Sequence, residues 1–154
     1  MQEFTLTDLS DAGQLHPFRD FCQHLRQQRQ EKARLRIAAQ AGFMPSALYW
    51  RSELSKAPIG IETLLCGHVG LPGLVVWTGA AARRATEDAR VVTGTYLSGT
   101  REYEEALAAL SGAMCCTEAE DRAGLRQRTA DEWLVKTIIL GPEQLKRVFW
   151  LTCP

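Results

Sequence analysis

Apolar residues near the N-terminus recur at the spacing of one helix face. Pro17 suits the first turn of a helix, and the apolar positions that follow are Phe18, Phe21, Cys22 and Leu25. A strongly polar stretch comes next, apolar residues return from residue 33, and Gly42 is a typical C-cap. The pattern predicts one long helix over residues 17–40, with its middle exposed to solvent or covered by a partner.

The pattern then changes to short apolar runs that turn signals separate. Such runs predict strands, and the segments concerned are 47–51, 61–66, 74–78, 133–140 and 145–153. The intervening segments 56–60, 67–73 and 141–144 are rich in glycine and proline, which favour turns. The last two strands are expected to form a hairpin.

Helix-forming residues fill two further segments, 80–90 and about 100–114, and a short helix is expected within 117–131. The fold class is therefore predicted as a single α+β domain over 1–154. In it, an antiparallel sheet of about five strands packs against the long N-terminal helix and two further helices. The predicted core contains Phe21, Leu25, Leu48, Trp50, Leu65, Val75, Trp77, Leu107, Leu110, Leu134, Ile138 and Phe149.

Composition excludes several classes of protein. The 154 residues are 45% hydrophobic and 23% charged, and the net charge is zero, unlike a basic nucleic-acid coat or an acidic disordered tail. The N-terminus lacks the pattern of a secretory signal, and no apolar stretch is long enough to span a membrane. Five cysteines, an odd number, favour reduced thiols and a cytoplasmic location without membrane attachment.

Charge is distributed unevenly along the chain. Residues 19–36 hold six basic and two acidic residues, and the segment Tyr49-Trp50-Arg51 follows soon after. Basic side chains bind phosphates and exposed aromatic rings stack on bases, although a solvated helix face has the same pattern. The predicted binding residues, for a protein partner or a nucleic acid, are Arg26, Arg29, Lys32, Arg34, Arg36, Tyr49 and Arg51.

The stretch over residues 20–64 carries a resemblance. An Arg-rich helix leads to a Leu-aromatic-Arg strand and then to Ile59-Gly60-Ile61-Glu62. This combination resembles uncharacterised accessory proteins of integrating conjugative elements. The resemblance implies a role in the biology of mobile elements and brings no catalytic motif with it.

A second candidate site lies near Cys66, His68 and the glycine loop 67–73. Cys66 and His68 are two residues apart, so on a strand both would point to one face. The Cys-x-His pattern also occurs at residues 22–24. One-residue spacing is awkward for tetrahedral zinc, so buried cysteines are the favoured interpretation, and a zinc-stabilised domain stays as a third hypothesis. A small enzyme or ligand-binding domain at this site is therefore the alternative function, and no cofactor or metal is predicted.

The leading prediction is a non-enzymatic accessory, adaptor or regulatory protein. None of the G-x-S-x-G, P-loop, G-x-G-x-x-G or H-E-x-x-H motifs is present. Residues 83–132 carry a net charge of −3 against +4 for residues 19–36. These opposite charges could dock on a charged partner or join copies of the chain into a homo-oligomer.

Overall fold

A computed structural model describes residues 1–149 of the chain as an α/β structure. In chain order its elements are β1 (Glu3–Leu6), α1 (Leu15–Gln27), β2 (Lys32–Ile37), α2 (Met44–Leu54), β3 (Gly60–Leu65), β4 (His68–Gly70), α3 (Leu71–Trp77), β5 (Ala82–Ala85), β6 (Arg90–Val92), α4 (Arg101–Ala113), α5 (Glu118–Arg122), α6 (Leu125–Val135), β7 (Ile139–Leu140) and α7 (Pro142–Phe149).

The larger sheet is entirely parallel, with the strand order β1-β2-β3-β5. The predicted antiparallel five-stranded sheet is therefore wrong. Because sequential parallel strands are joined by right-handed crossovers, α1, α2 and α3 are expected on the same face. Burial agrees: Leu35 and Ile37 of β2 point to a buried face, while Arg34 and Arg36 point to the opposite, open face.

The buried face of the large sheet meets the helices in one continuous core. The apolar stripe of α1 consists of Leu15, Phe18, Cys22 and Leu25, and every residue of α3 is buried. Phe18 contacts Trp50 of α2 at a ring-centroid distance of 5.1 Å, and Trp77 of α3 contacts Phe149 of α7 at 5.2 Å. These contacts fasten the first and last described helices to the central ones.

A smaller sheet continues beside the first, with the order β4-β6-β7. Strand β4 runs parallel to β6, and β6 pairs antiparallel with β7. Helices α4 and α6 pack together, and α4 also contacts α2 and α3. The hydroxyl of Thr100 accepts a hydrogen bond from Tyr103 N–H and so caps α4, while Thr117 and Glu120 form a reciprocal capping box at α5.

Several predicted elements are corrected by this architecture. The predicted helix 17–40 is the helix α1 followed by the strand β2, and the predicted strands 47–51 and 74–78 are the helices α2 and α3. The predicted helix 80–90 contains β5 and the start of β6. The predicted strand 133–140 is the end of α6 followed by the two-residue strand β7. The predicted last strand, 145–153, begins inside α7, and its residues 150–153 lie outside the described part.

Other expectations are confirmed. The predicted strand 61–66 corresponds to β3, and the predicted helix 100–114 corresponds to α4. Eight of the twelve predicted core residues are buried, and the remaining four, Phe21, Leu48, Leu107 and Ile138, are partly buried against the core.

The thiols are not all reduced as the sequence led us to expect. Cys22, Cys66 and Cys116 are free, and Cys115 is disulfide-bonded. Over residues 1–149, none of the helices has the length and apolar character needed to cross a lipid bilayer.

Candidate functional site

Several parallel strands reach their carboxyl ends at one edge of the molecule. Hydrogen bonds tie the segments there together: Ala38 N–H donates to Leu6 O (2.9 Å), and Gly70 N–H donates to Ala39 O (3.0 Å). The register then pairs Gly70 of β4 with Val92 of β6. The segments that follow β1 and β2 and the ends of β4 and β6 therefore lie side by side, at the edge where open α/β sheets bind their ligands.

A groove of about 780 Å³ opens at this edge. We call it the carboxyl-end groove, and its lining residues are Thr7, Asp8, Ser10, Ala38, Gln40, Ala41, Gly42 and Phe43. Phe43 precedes helix α2 and is 53% exposed, although its backbone N–H is fixed by a 2.7 Å hydrogen bond to Leu9 O. The groove therefore offers an aromatic ring to solvent from a fixed backbone position.

The acidic group of the groove is also held in place. Asp8 accepts hydrogen bonds from the hydroxyl (2.6 Å) and the backbone N–H (2.8 Å) of Ser10, and these bonds lower the pKa of Asp8. Its carboxylate is thus anionic at neutral pH. An apolar ring and a carboxylate in one groove suit a ligand that carries an apolar group beside a cationic one.

The junction between β4 and α3 is apolar. In hydrolases of the α/β class a strand-to-helix turn of this kind is where a nucleophile stands. Here the sequence at the turn is Gly70-Leu71-Pro72-Gly73, and both Leu71 and Pro72 are buried. A Cβ atom on Gly73 would lie 2.3 Å from Val69 Cγ1, so this turn packs too closely for a larger residue at that position.

Two exposed apolar side chains stand next to the same turn. Val92 of β6 and Ile139 of β7 are partners in the strand register, and they are 40% and 63% exposed. Because Gly70 is the partner of Val92 on the other side, the apolar pair continues the carboxyl-end edge beyond the groove.

The residues predicted to form one basic binding surface lie in three separate places. Arg26 and Arg29 are exposed at the end of α1, whereas Tyr49 and Arg51 belong to α2. The other three, Lys32, Arg34 and Arg36, alternate along β2 and point to the open face of the large sheet. The prediction of a single basic helix is therefore wrong, because the run of charge crosses a helix end, a loop and a strand.

On the open sheet face, Arg34 is neutralised by two neighbouring strands. Its guanidinium lies 3.1 Å from Glu3 of β1 and 2.9 Å from Glu62 of β3, and these carboxylates raise its pKa. Arg84 of β5 adds a longer contact of 3.5 Å to Glu62. Arg36 is exposed on the same face, and no ion pair to it is found within residues 1–149.

Tyr49 contributes to a small polar cluster and leaves much of its ring free. Its hydroxyl accepts a hydrogen bond from Arg19 (3.3 Å), which also pairs with Glu53 at 3.0 Å. Tyr49 is 49% exposed, while the adjacent Trp50 is fully buried. Tyr49 therefore faces solvent, whereas Trp50 faces the core.

The structure gives Cys66 and His68 of the alternative site different surroundings. Cys66 is buried, its thiol donates a weak hydrogen bond to Leu64 O (3.7 Å), and burial raises its pKa. His68 is exposed at the start of β4. Across residues 1–149, no group of three or more His, Cys, Asp or Glu side chains could hold a metal ion.

The carboxyl-end groove was missed by reasoning from the sequence. Its residues come from the segments after β1 and β2, and only the parallel pairing of those strands brings them together. The available signal was Phe43, an aromatic residue between Gly42 and a helix start marked by Pro45.

Comparisons with known proteins give a fold and no family. Neither the family models nor the curated proteins contain a match to this sequence. Among solved structures, a serine-to-alanine mutant of the 1510-N membrane-bound stomatin-specific protease matches with a TM-score of 0.69 and 11% identity. That match covers 95% of this chain and 74% of the other.

A lysine-to-alanine mutant of the same protease, solved in complex with a substrate peptide, matches with a TM-score of 0.70 and 10% identity, over 95% of this chain and 70% of the other. At this level of identity the likeness shows that the chain shares the protease's α/β fold.

Proposed function

We propose that this protein is a non-enzymatic binding protein that holds an extended segment of a protein partner in the carboxyl-end groove. The observation that carries the proposal is the exposed ring of Phe43 at the edge where the parallel strands end. Exposed aromatic residues in a concave site commonly supply much of the energy of a protein interface. The proposal keeps the adaptor role expected from the sequence and moves it from the basic residues to this groove.

The chemistry of the groove supports a partner of stated character. Phe43 favours an apolar side chain, and the carboxylate of Asp8 favours a neighbouring lysine or arginine. Val92 and Ile139 extend the apolar surface along the strand ends. The favoured ligand is therefore an extended segment in which apolar residues accompany a basic one.

The fold comparison supports peptide binding, and the residues of this chain favour binding without cleavage. One of the similar structures is a protease complex with a substrate peptide, and the mutants solved replace a serine and a lysine. Proteolysis by a serine nucleophile needs a base that can reach the serine hydroxyl. Among residues 1–149 of this chain no hydrogen bond joins a serine to a lysine, and the β4–α3 turn carries Leu71 and Pro72. We therefore infer binding in place of hydrolysis.

Peptide binding can be measured directly. An array of short peptides that vary in apolar and basic residues is probed with the protein, and the best binder is labelled for fluorescence polarisation. Phe43→Ala is expected to weaken peptide binding by about tenfold or more. In the complex the peptide would bury the Phe43 ring, and the substitution would remove most of that contact area. Leu97→Ala is the matched control, since Leu97 is 77% exposed and does not line the groove.

Two results would contradict the proposal. Equal binding by Phe43→Ala and Leu97→Ala would exclude the groove as the site. Cleavage of the bound peptide, detected by mass spectrometry after incubation, would show that the protein is an enzyme.

The same protein preparation tests the nucleic-acid prediction. Oligonucleotide binding that falls steeply with salt, and that is lost when Arg26, Arg29 and Arg36 are changed to Glu together, would favour nucleic acid over a peptide.

A further inference from the structure

A second cavity lies at the opposite end of the large sheet, where its parallel strands begin. It has a volume of about 530 Å³, which is within the usual range of small-molecule sites. The amino ends of β2, β3 and β5 enclose it, together with the turns that follow α2 and α3. We call it the amino-end pocket.

The walls of the amino-end pocket are largely apolar. Leu54, Ile59 and Ala80 line it and are buried. Ile61, which also lines it, lies on the same face of β3 as the fully buried Thr63, yet Ile61 is only partly buried. The apolar face of the sheet is therefore left partly uncovered beyond the ends of α2 and α3.

Polar groups of the lining are already engaged within the protein. The hydroxyl of Ser55 donates to Ser52 O at 2.7 Å, and Gly60 N–H donates to Glu31 O at 2.8 Å. Groups that are satisfied in this way do not call for a polar ligand, so the pocket favours an apolar one.

Two charged residues line the pocket, and their surroundings differ. The carboxylate of Glu62 lies 2.9 Å from the guanidinium of Arg34 and 3.5 Å from that of Arg84, so arginines already neutralise it. Lys32 is exposed, and within residues 1–149 its ammonium group has no ion pair or hydrogen bond. The charge that is free to meet a ligand at this pocket is therefore positive.

We propose that the amino-end pocket binds a small apolar molecule with one carboxylate group, such as a medium-chain fatty acid. The hydrocarbon chain lies against the apolar walls, and the carboxylate pairs with Lys32. The pocket shares no lining residue with the carboxyl-end groove, so this site does not depend on the proposed peptide binding.

Calorimetric titration with linear carboxylates, from hexanoate to decanoate, tests the apolar part of the site. Each added methylene should tighten binding by about fourfold until the pocket is full, because each one buries further apolar surface. Octanol and octylamine test the charged part, and both should bind more weakly than octanoate. An affinity that does not depend on chain length would overturn the proposal, as would tighter binding of octylamine.

A charge-removing variant tests the role of Lys32. Lys32→Gln should weaken octanoate binding by about two- to fivefold, the range of an exposed ion pair, and should leave octanol binding unchanged. Lys136→Gln is the matched control, since Lys136 is also exposed, forms no ion pair in the described part of the chain and does not line the pocket. Equal weakening by the two variants would overturn the proposal.

A measurement on the wild-type protein locates the ligand without any variant. In methyl NMR spectra of isoleucine-labelled protein, the signals of Ile59 and Ile61 should shift saturably with octanoate. The signal of Ile139, which is exposed on the smaller sheet, should not shift. Shifts of equal size at Ile139 would show general adsorption to apolar surface and would overturn the proposal.

Discussion

Arg29 should lower the stability of the native protein, and replacing it by glycine should raise it. Arg29 follows the C-cap of α1 and has a φ of 60°, in the left-handed region. Its N–H donates to Arg26 O at 3.0 Å, and the N–H of Gln30 donates to Leu25 O at 2.9 Å. This pair of bonds is a Schellman motif, whose left-handed position is usually glycine.

The expected gain follows from two opposing effects. A residue with a Cβ atom pays about 1–2 kcal/mol for the left-handed conformation, and glycine avoids this cost. Glycine also makes the unfolded chain more flexible, and this effect lowers the free energy of unfolding by about 0.4–1 kcal/mol. Over residues 1–149 no ion pair or side-chain hydrogen bond of Arg29 would be lost. Arg29→Gly should therefore raise the free energy of unfolding by roughly 0.5–1 kcal/mol.

Calorimetry can resolve a change of this size. For a chain of this length, 1 kcal/mol corresponds to a shift in Tm of about 2–4 °C. Arg29→Ala is the matched control, because it removes the same charge and keeps the Cβ atom, and its Tm should stay within about 2 °C of the wild type. If Arg29→Gly melts no higher than Arg29→Ala, the strain assigned to this position is refuted.

Two further predictions test the packing of the core. Gly73→Ala should lower the free energy of unfolding by about 1–3 kcal/mol, since the new Cβ would lie 2.3 Å from Val69 Cγ1; an unchanged urea midpoint would contradict this. Burial raises the pKa of the Cys22 thiol to about 11, so iodoacetamide at pH 8 should modify the partly exposed Cys116 well before Cys22. Mass spectrometry of the native protein checks the order, and equal rates would contradict it.

The end of the first helix shows why the sequence misled the prediction of secondary structure. A glycine at the left-handed position would have marked the end of α1, but Arg29 stands there, and the next glycine is Gly42. The pattern therefore merged α1 and β2 into one helix. By contrast, α4 was predicted correctly because its start is marked by a capping threonine, Thr100, and acidic residues follow in the first turn.

Burial on all sides caused the second kind of error. Helix α3 has no polar face, so the run from Leu74 to Trp77 has no helical period and was predicted as a strand. In α2 the strand-forming residues Tyr49 and Trp50 outweighed Pro45, which in the structure lies in the first turn of the helix. The core residues were still largely predicted, because apolar character alone indicates burial and does not depend on the type of element.

The candidate site could not be found from local sequence because it depends on strand order. Phe43 belongs to the groove only because the segments after β1 and β2 are neighbours. The parallel pairing of β1 with β2 makes them neighbours, whereas an antiparallel meander would not. The prediction of one basic binding surface failed for a related reason. Alternate residues of a strand point to opposite faces, so Lys32, Arg34 and Arg36 share a face with each other and are separated from Arg26 and Arg29.

The strand order also explains the role of the charged residue Arg34 on β2. Parallel sheets are usually covered on both faces, but the sequential order of this sheet sends its crossover helices to one side. The open face must then be polar, and the pairing of Arg34 with Glu3 and Glu62 makes it so across three strands. Charges engaged in this way are poorly available to a partner, since binding would first have to break their ion pairs. Phe43 at the strand ends is exposed and has no such ion pairs to break, so the carboxyl-end groove is where a peptide ligand should be sought.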